Sequence, residues 1–285
     1  MTTHIKSLKT IASNYDAIVF DQWGVLHNGS APYKNAVGLL KELYKDGTRL
    51  AVLSNSGKRS ELNAKRISEM GFSKKLFEQI MTSGEALWND ISTKVITEKC
   101  FFPIERNKGD ASNWVGDLSI KITYNLNLAD AIILMGLPDE PQNDDWKNLI
   151  KKALVKKLPL YCSNPDLMSP RADGKIVTSP GTIANYYENN GGKVFFYGKP
   201  HRPIFDALEL KLGVNNILMV GDSLKHDIQG AQSIGLDSLF VLNGLYSKDF
   251  RNGEIDMTLN KLITENDCQR PTYLIEELQL NLALN

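Results

Sequence analysis

Four short segments carry side chains that could do chemistry together: IVFDQWGV (18–25), AVLSNS (51–56), YGKP (197–200) and MVGDSLKHDI (219–228). In each, an apolar run ends on a polar residue. Asp21 follows IVF, Ser54 and Asn55 follow AVL, Lys199 follows VFFYG, and Asp222 follows LMVG with Asp227 five residues beyond it. Taken singly, an aspartate or serine after a strand is a helix cap or a turn residue, and a lysine before a proline is a solvated loop residue. The repeated pattern favours a shared site, because ligands of open parallel sheets bind just outside the carboxyl ends of the strands. If those strands are adjacent, three carboxylates meet. Like charges about 4 Å apart repel by about 4 kcal/mol at an effective dielectric near 20, so the cluster needs a cation. An all-oxygen donor set with room for water suits Mg²⁺. The Ser54 hydroxyl, a free N–H at the start of the helix that follows, and Lys199 make an anion receptor opposite that metal. A metal, an anion receptor and a free carboxylate are the apparatus for phosphoryl transfer to an aspartate.

The elements that must position these residues are legible from periodicity. YDAIVFD (15–21), TRLAVLSN (48–55), KVFFYGK (193–199), NILMVGDS (216–223) and DSLFVLNG (237–244) read as short apolar strands. Between them, 32–47 has helical spacing at Val37, Leu40 and Tyr44, and 57–71, 203–213 and 225–235 read as amphipathic helices. Strand, helix, strand with short links predicts a doubly wound α/β core with a parallel sheet covered on both faces. The stretch 82–192 has another texture: a loop-like 105–117, a buried strand at 130–137, a helix at 143–157, LPLYCSNPD (158–166) and a Gly/Pro/Ser-rich run to Gly181. It reads as an inserted α/β cap domain between core segments 1–81 and 193–285, with Pro and Gly near 180 and 191–192 as hinges.

Composition excludes several classes. Of the 285 residues, Lys+Arg and Asp+Glu each number 33, so there is no electrostatic footprint for nucleic acid or a membrane surface. Three widely spaced cysteines (Cys100, Cys162, Cys268) form no CxxC pair and read as reduced thiols, and no long apolar segment is present; a cytoplasmic protein is expected. GxxxxGK[ST] is absent, and no GxGxxG opens a helix. Cys162 lies in CSNP with no nearby base, so it reads as structural.

The motif order Asp21 (hhhDxxGV), Ser54 (hhhSN), Lys199 (GKP) and Asp222…Asp227 (hhGDSxxxDI) resembles the haloacid dehalogenase superfamily of hydrolases. The large insertion between the second and third motifs resembles the type IIA cap of its NagD-like branch, to which CSNPD (162–166) and the Pro180–Gly181 helix start are similar. Between about 90 and 128 no cap motif is visible. The resemblance implies a Mg²⁺-dependent phosphatase acting on a small organic phosphomonoester through an aspartyl-phosphate at Asp21. It makes Asp21 nucleophile and metal ligand, Trp23 a ligand through its backbone carbonyl, Asp222 a direct ligand and Asp227 a support of the metal site. Ser54, Asn55 and Lys199 would hold the phosphoryl group, and Asn164 and Asp166 would lie on the cap face over the pocket. It also implies self-association as a homodimer.

One position departs from that pattern. Phosphatases of the superfamily read DxDG, their second aspartate protonating the leaving alcohol and later activating water; here Trp23 stands there. Indole is neither acid nor base, so a contribution of typically about 10²–10⁴-fold is missing unless another group supplies it. Metal binding through the carbonyl is indifferent to the side chain. Two readings follow: a weak phosphatase, or one confined to good leaving groups, with Trp23 packing on substrate or cap; or a vestigial protein that binds a phosphorylated ligand with little turnover. A third reading makes Trp23 core filler. His27 and His201 lie near the motifs as candidate proton carriers, although each reads more simply as a surface or hydrogen-bonded loop histidine.

Overall fold

A computed structural model describes residues 2–138, 145–170, 175–251 and 253–278. Its seven-stranded sheet runs in the order Thr3–His4, Tyr273–Ile275, Asp237–Val241, Ile217–Gly221, Ala17–Phe20, Leu50–Ser54, Gln79–Thr82. The strand Ala17–Phe20 is central and pairs in parallel with Ile217–Gly221 on one side and Leu50–Ser54 on the other. All four of its residues are buried, as the unbroken apolar run requires when both faces are covered. On one face Ile18, Phe20, Val52, Leu218 and Val220 pack with Leu39, Leu40 and Leu43 of the helix Ala36–Lys45 and with Ile67 and Phe72. On the other, Phe240, Leu242 and Leu274 pack with Leu224, Ile228, Leu259 and Leu262. Burying each such side chain stabilises the sheet by roughly 1.5–3 kcal/mol, which keeps the strand ends rigid.

A second, five-stranded sheet has the order Val194–Phe196, Leu160–Cys162, Ala131–Leu134, Cys100–Ile104, Lys121–Ile122, all parallel. Its core joins Ile132, Leu134, Leu160 and Cys162 to Ile150, Ala153, Ile183 and Tyr187 of the helices Asp145–Val155 and Pro180–Asn189. By contact density the chain divides into 1–54, 64–81 and 199–285 as one unit and 55–63 and 82–198 as the other.

Several expectations change. Val194–Phe196 pairs with Leu160–Cys162, so this strand belongs to the smaller sheet and the return to the larger unit comes at Lys199 rather than 193. A three-residue apolar run looks the same in either sheet, and only its register assigns it. The glycines and proline near 180 and 191–192 are not at a unit boundary: Pro180 starts a helix, and Gly191 lies just beyond its end at φ 85. The loop-like 105–117 contains a helix, Asp110–Val115, and Tyr44 is 53% exposed, its place in the core taken by Leu39 and Leu43. Residues 143–144 of the expected 143–157 helix and 171–174 of the Gly/Pro/Ser-rich run lie outside the described residues.

Candidate active site

Because three parallel neighbours end at one level, their carboxyl edges bring Asp21, Ser54 and Asp222 together at the middle of the sheet. The backbone N–H of Asp21 still donates to Val220 O at 2.9 Å, so the ladder extends to the point where Asp21 emerges. Asp222 is followed by a single wide, π-type helical turn over Leu224–Ile228. The Ser223 hydroxyl accepts from His226 N–H, and the turn carries Asp227 back beneath the strand end. There Asp227 Oδ2 accepts from the N–H groups of Asp222 and Ser223 at 3.1 and 3.0 Å. This is why the acids stand five apart: the second anchors the backbone that presents the first.

Lys199 lies between two of the acids. Its Nζ donates to Asp21 Oδ1 and to Asp227 Oδ1, each at 2.6 Å. The Lys199 and Asp227 side chains are 3% and 0% exposed and that of Asp21 is 15% exposed, so these are desolvated ion pairs with one edge open to solvent. Asp222 Oδ2 accepts from Leu245 N–H at 2.7 Å. Its other oxygen takes no hydrogen bond from the described residues.

One oxygen from each of Asp21, Asp222 and Asp227 lies within 4.8 Å of the others. Three carboxylates against one ammonium leave a formal charge of −2, the deficit a divalent cation fills. The acidity of the groups reports the same deficit. Burial pushes the Asp21 carboxyl up to about 7, Lys199 opposing and Asp227 reinforcing the shift. Burial, then Asp21 and Asp227, raise Asp222 well above the usual carboxylate range. Burial alone would lower the Lys199 amine, but the two carboxylates outweigh it and hold the ammonium above its ordinary value. The donor set therefore fits a hard divalent ion such as Mg²⁺. Its walls are tight. A Cβ on Gly24, which has φ +87, would lie 1.8 Å from Asp222 Oδ2, and one on Gly244 would lie 2.3 Å from Asp222 Cβ.

Gly24 stands inside the DQWG signature and could have been noticed there. Gly244 and Leu245 carry no signal: the strand expected to run to 244 stops at Val241, and the turn beyond it folds back onto Asp222. Trp23 is 38% exposed, which removes the reading of it as core filler. His27 is not at the surface. It is fully buried, with Nδ1 accepting from Gly29 N–H at 3.0 Å and Nε2 at 3.2 Å from the Arg66 guanidinium. Burial first, then Arg66, lowers its pKa to about 4. His201 is likewise lowered to about 4 by burial, His226 and Lys225.

Within the smaller unit, Asn55 Nδ2 donates to Asp166 Oδ1 at 2.7 Å, and Asp166 N–H donates to Asn164 Oδ1 at 3.0 Å. The Asn164 and Asp166 side chains thus brace Asn55, the residue directly after Ser54.

A family model of the haloacid dehalogenase-like hydrolases matches residues 18–108, and a HAD-hydrolase-like model matches 196–278, so the two segments hold every residue of the Asp21–Asp222–Asp227–Lys199 cluster. An acid sugar phosphatase of Staphylococcus haemolyticus is 25% identical over 273 residues, covering 95% of this chain and 96% of its own. The crystal structure of a haloacid dehalogenase-like hydrolase from Brucella suis superposes with a TM-score of 0.78 at 26% identity, covering 96% of this chain and 99% of that one. A glycerol phosphate phosphatase of Mycobacterium tuberculosis, crystallised in complex with magnesium, shares the fold with a TM-score of 0.73 at 22% identity, covering 96% and 78%.

Proposed function

The chain belongs to the haloacid dehalogenase-like hydrolases, in their NagD-like type IIA branch, and from that membership we propose that it is a Mg²⁺-dependent phosphatase of small organic phosphates that works through a phosphorylated Asp21. The observation that carries the reading is the −2 cluster of Asp21, Asp222 and Asp227 around Lys199 at adjacent strand ends. Asp21 is the nucleophile: it ends the central strand, one of its oxygens is tied to Lys199, and its side chain is the solvent-facing member of the buried pair. Asp21, Asp222 and the Trp23 carbonyl would hold the metal, and Asp227 holds Lys199 and the Asp222 backbone in place. When bound, Mg²⁺ supplies charge neutralisation for the transferring phosphoryl oxygens.

The chain's own residues do the rest. Lys199 cancels the charge that would otherwise repel an incoming phosphate from Asp21, and the Ser54 hydroxyl and Asn55 N–H hold phosphoryl oxygens. Within its own unit, Asn55 is held by the carboxylate of Asp166, whose backbone N–H in turn donates to Asn164 Oδ1. Asp21 attacks phosphorus, the ester P–O bond breaks, and water then cleaves the aspartyl-phosphate. A reducing, cytoplasmic setting is supported by three free thiols. The exposed indole of Trp23, where a carboxyl would act as acid and base, favours the second reading of a phospho-ligand-binding protein with little turnover. Incubation with 4-nitrophenyl phosphate or acetyl phosphate and Mg²⁺ separates the two. The phosphatase releases phosphate and transiently gains one phosphoryl mass on intact-protein spectra, and Asp21→Asn does neither. Saturable binding of phosphate without turnover or mass gain supports the binding protein instead.

A further inference from the structure

When a phosphate ester is cleaved, the departing oxygen either takes a proton as it leaves or leaves as an anion. Of the described groups in the core unit that could give that proton, four are committed elsewhere. The ammonium of Lys199 is spent on two carboxylates at 2.6 Å. Asp227 accepts from two backbone N–H groups and from Lys199. His27 is fully buried with both ring nitrogens in contact with Gly29 N–H and Arg66. The Tyr246 hydroxyl donates to Asn266 Oδ1 at 3.2 Å. Tyr33 is a further proton-bearing side chain, half-buried against the core. At position 23, two residues beyond the nucleophile, stands a half-exposed indole fixed against Gly29, whose Cβ would lie 3.1 Å from its Nε1. An indole offers a flat apolar face and no titratable proton.

Resting on the phosphatase reading above, we infer that Trp23 sets the substrate class: the enzyme takes phosphates whose leaving group is stable as an anion, namely aryl, enol and acyl phosphates, and discriminates against alkyl phosphates. In the first step an Asp21 carboxylate oxygen forms the bond to phosphorus, the P–O bond to the leaving group breaks, and its electron pair departs on a phenolate, enolate or carboxylate with no proton needed. In the second, water oxygen bonds to phosphorus, the Asp21 carboxylate is released with its electron pair, and the water proton passes to the phosphate formed. Lacking a base at 23, this second step is slow and the same for every substrate. The discrimination therefore appears in kcat/KM, which reports the bond-breaking step, while kcat levels off and a burst of leaving group precedes steady turnover.

The experiment measures kcat/KM with Mg²⁺ for a series of substituted phenyl phosphates, acetyl phosphate and glycerol phosphate, in wild type, Trp23→Asp, Trp23→Phe and Tyr33→Phe. Wild type and Trp23→Phe should fall steeply as the leaving group becomes more basic. Trp23→Asp should narrow the gap between glycerol phosphate and 4-nitrophenyl phosphate by about 10²–10⁴-fold, the usual worth of a general acid. Comparable kcat/KM for glycerol and 4-nitrophenyl phosphates in wild type overturns the inference and leaves the phosphatase standing. So does a shallow dependence that steepens in Tyr33→Phe, which would make the phenol the acid. Absence of turnover and of any phosphoryl mass on Asp21 with acetyl phosphate overturns the phosphatase reading and this inference together.

Discussion

Asp222→Asn should change the sign of its effect on stability with the cation present. In chelator, wild type holds three carboxylates within 4.8 Å with one ammonium between them. At that separation and an effective dielectric near 20, Coulomb's law gives about 3.5 kcal/mol of repulsion per like-charged pair. The amide keeps the bond from Leu245 N–H at Oδ and removes one charge, so it relieves up to about 3 kcal/mol, less whatever wild type already recovers by protonation. For a chain of this size that is a rise in melting temperature of up to roughly 5–10 °C. With Mg²⁺ the order reverses. A cation at about 100 times its Kd stabilises wild type by about 2.7 kcal/mol, and the variant, short of a ligand, loses most of it. Differential scanning calorimetry in EDTA and in millimolar Mg²⁺ reads both effects on two proteins. Destabilisation by Asp222→Asn of equal size in both buffers would refute the reasoning, since it would mean that the acids do not share a cation.

Three further outcomes follow from the same geometry. Asp21 in the folded chain is raised from 3.8 to about 7 and Asp222 is raised as well, so the folded state binds more protons than the unfolded one. Stability in EDTA should therefore be fully developed below about pH 4 as far as these groups go, and fall as pH rises through about 7; Mg²⁺ should flatten that slope, measured as melting temperature against pH. Lys199→Met leaves Asp227 buried without its cation and should cost about 3–5 kcal/mol in urea titrations, with phosphate binding lost as well. Asp166→Ala removes the acceptor of the 2.7 Å bond from Asn55 and should cost about 0.5–1.5 kcal/mol, read as a fall of a few degrees in melting temperature.

How much of this was readable without coordinates depends on the range over which each feature is encoded. The central strand, its terminal acid and the five-residue step from Asp222 to Asp227 are local, fixed by an apolar run and by the reach of one helical turn, and the motifs stated them directly. The replacement at Trp23 is a matter of residue type, so the sequence by itself raised the question of a missing acid. Other features belong to the packing. That Lys199 is shared between Asp21 and Asp227, 178 and 28 residues away, depends on strand order. That Gly244 and Leu245 close on Asp222 depends on where the strand Asp237–Val241 ends. His27 reads as a surface or hydrogen-bonded loop histidine, and only packing chooses the second: it is buried with Gly29 N–H and Arg66 on its ring, because the chain after Trp23 folds inward, with Gly24 N–H bonded to His27 O. Val194–Phe196 joined a different sheet from the one its composition suggested. A sequence carries periodicity and chemistry along the chain, whereas register, burial and the sharing of one charge among distant partners come into being only when the strands lie side by side.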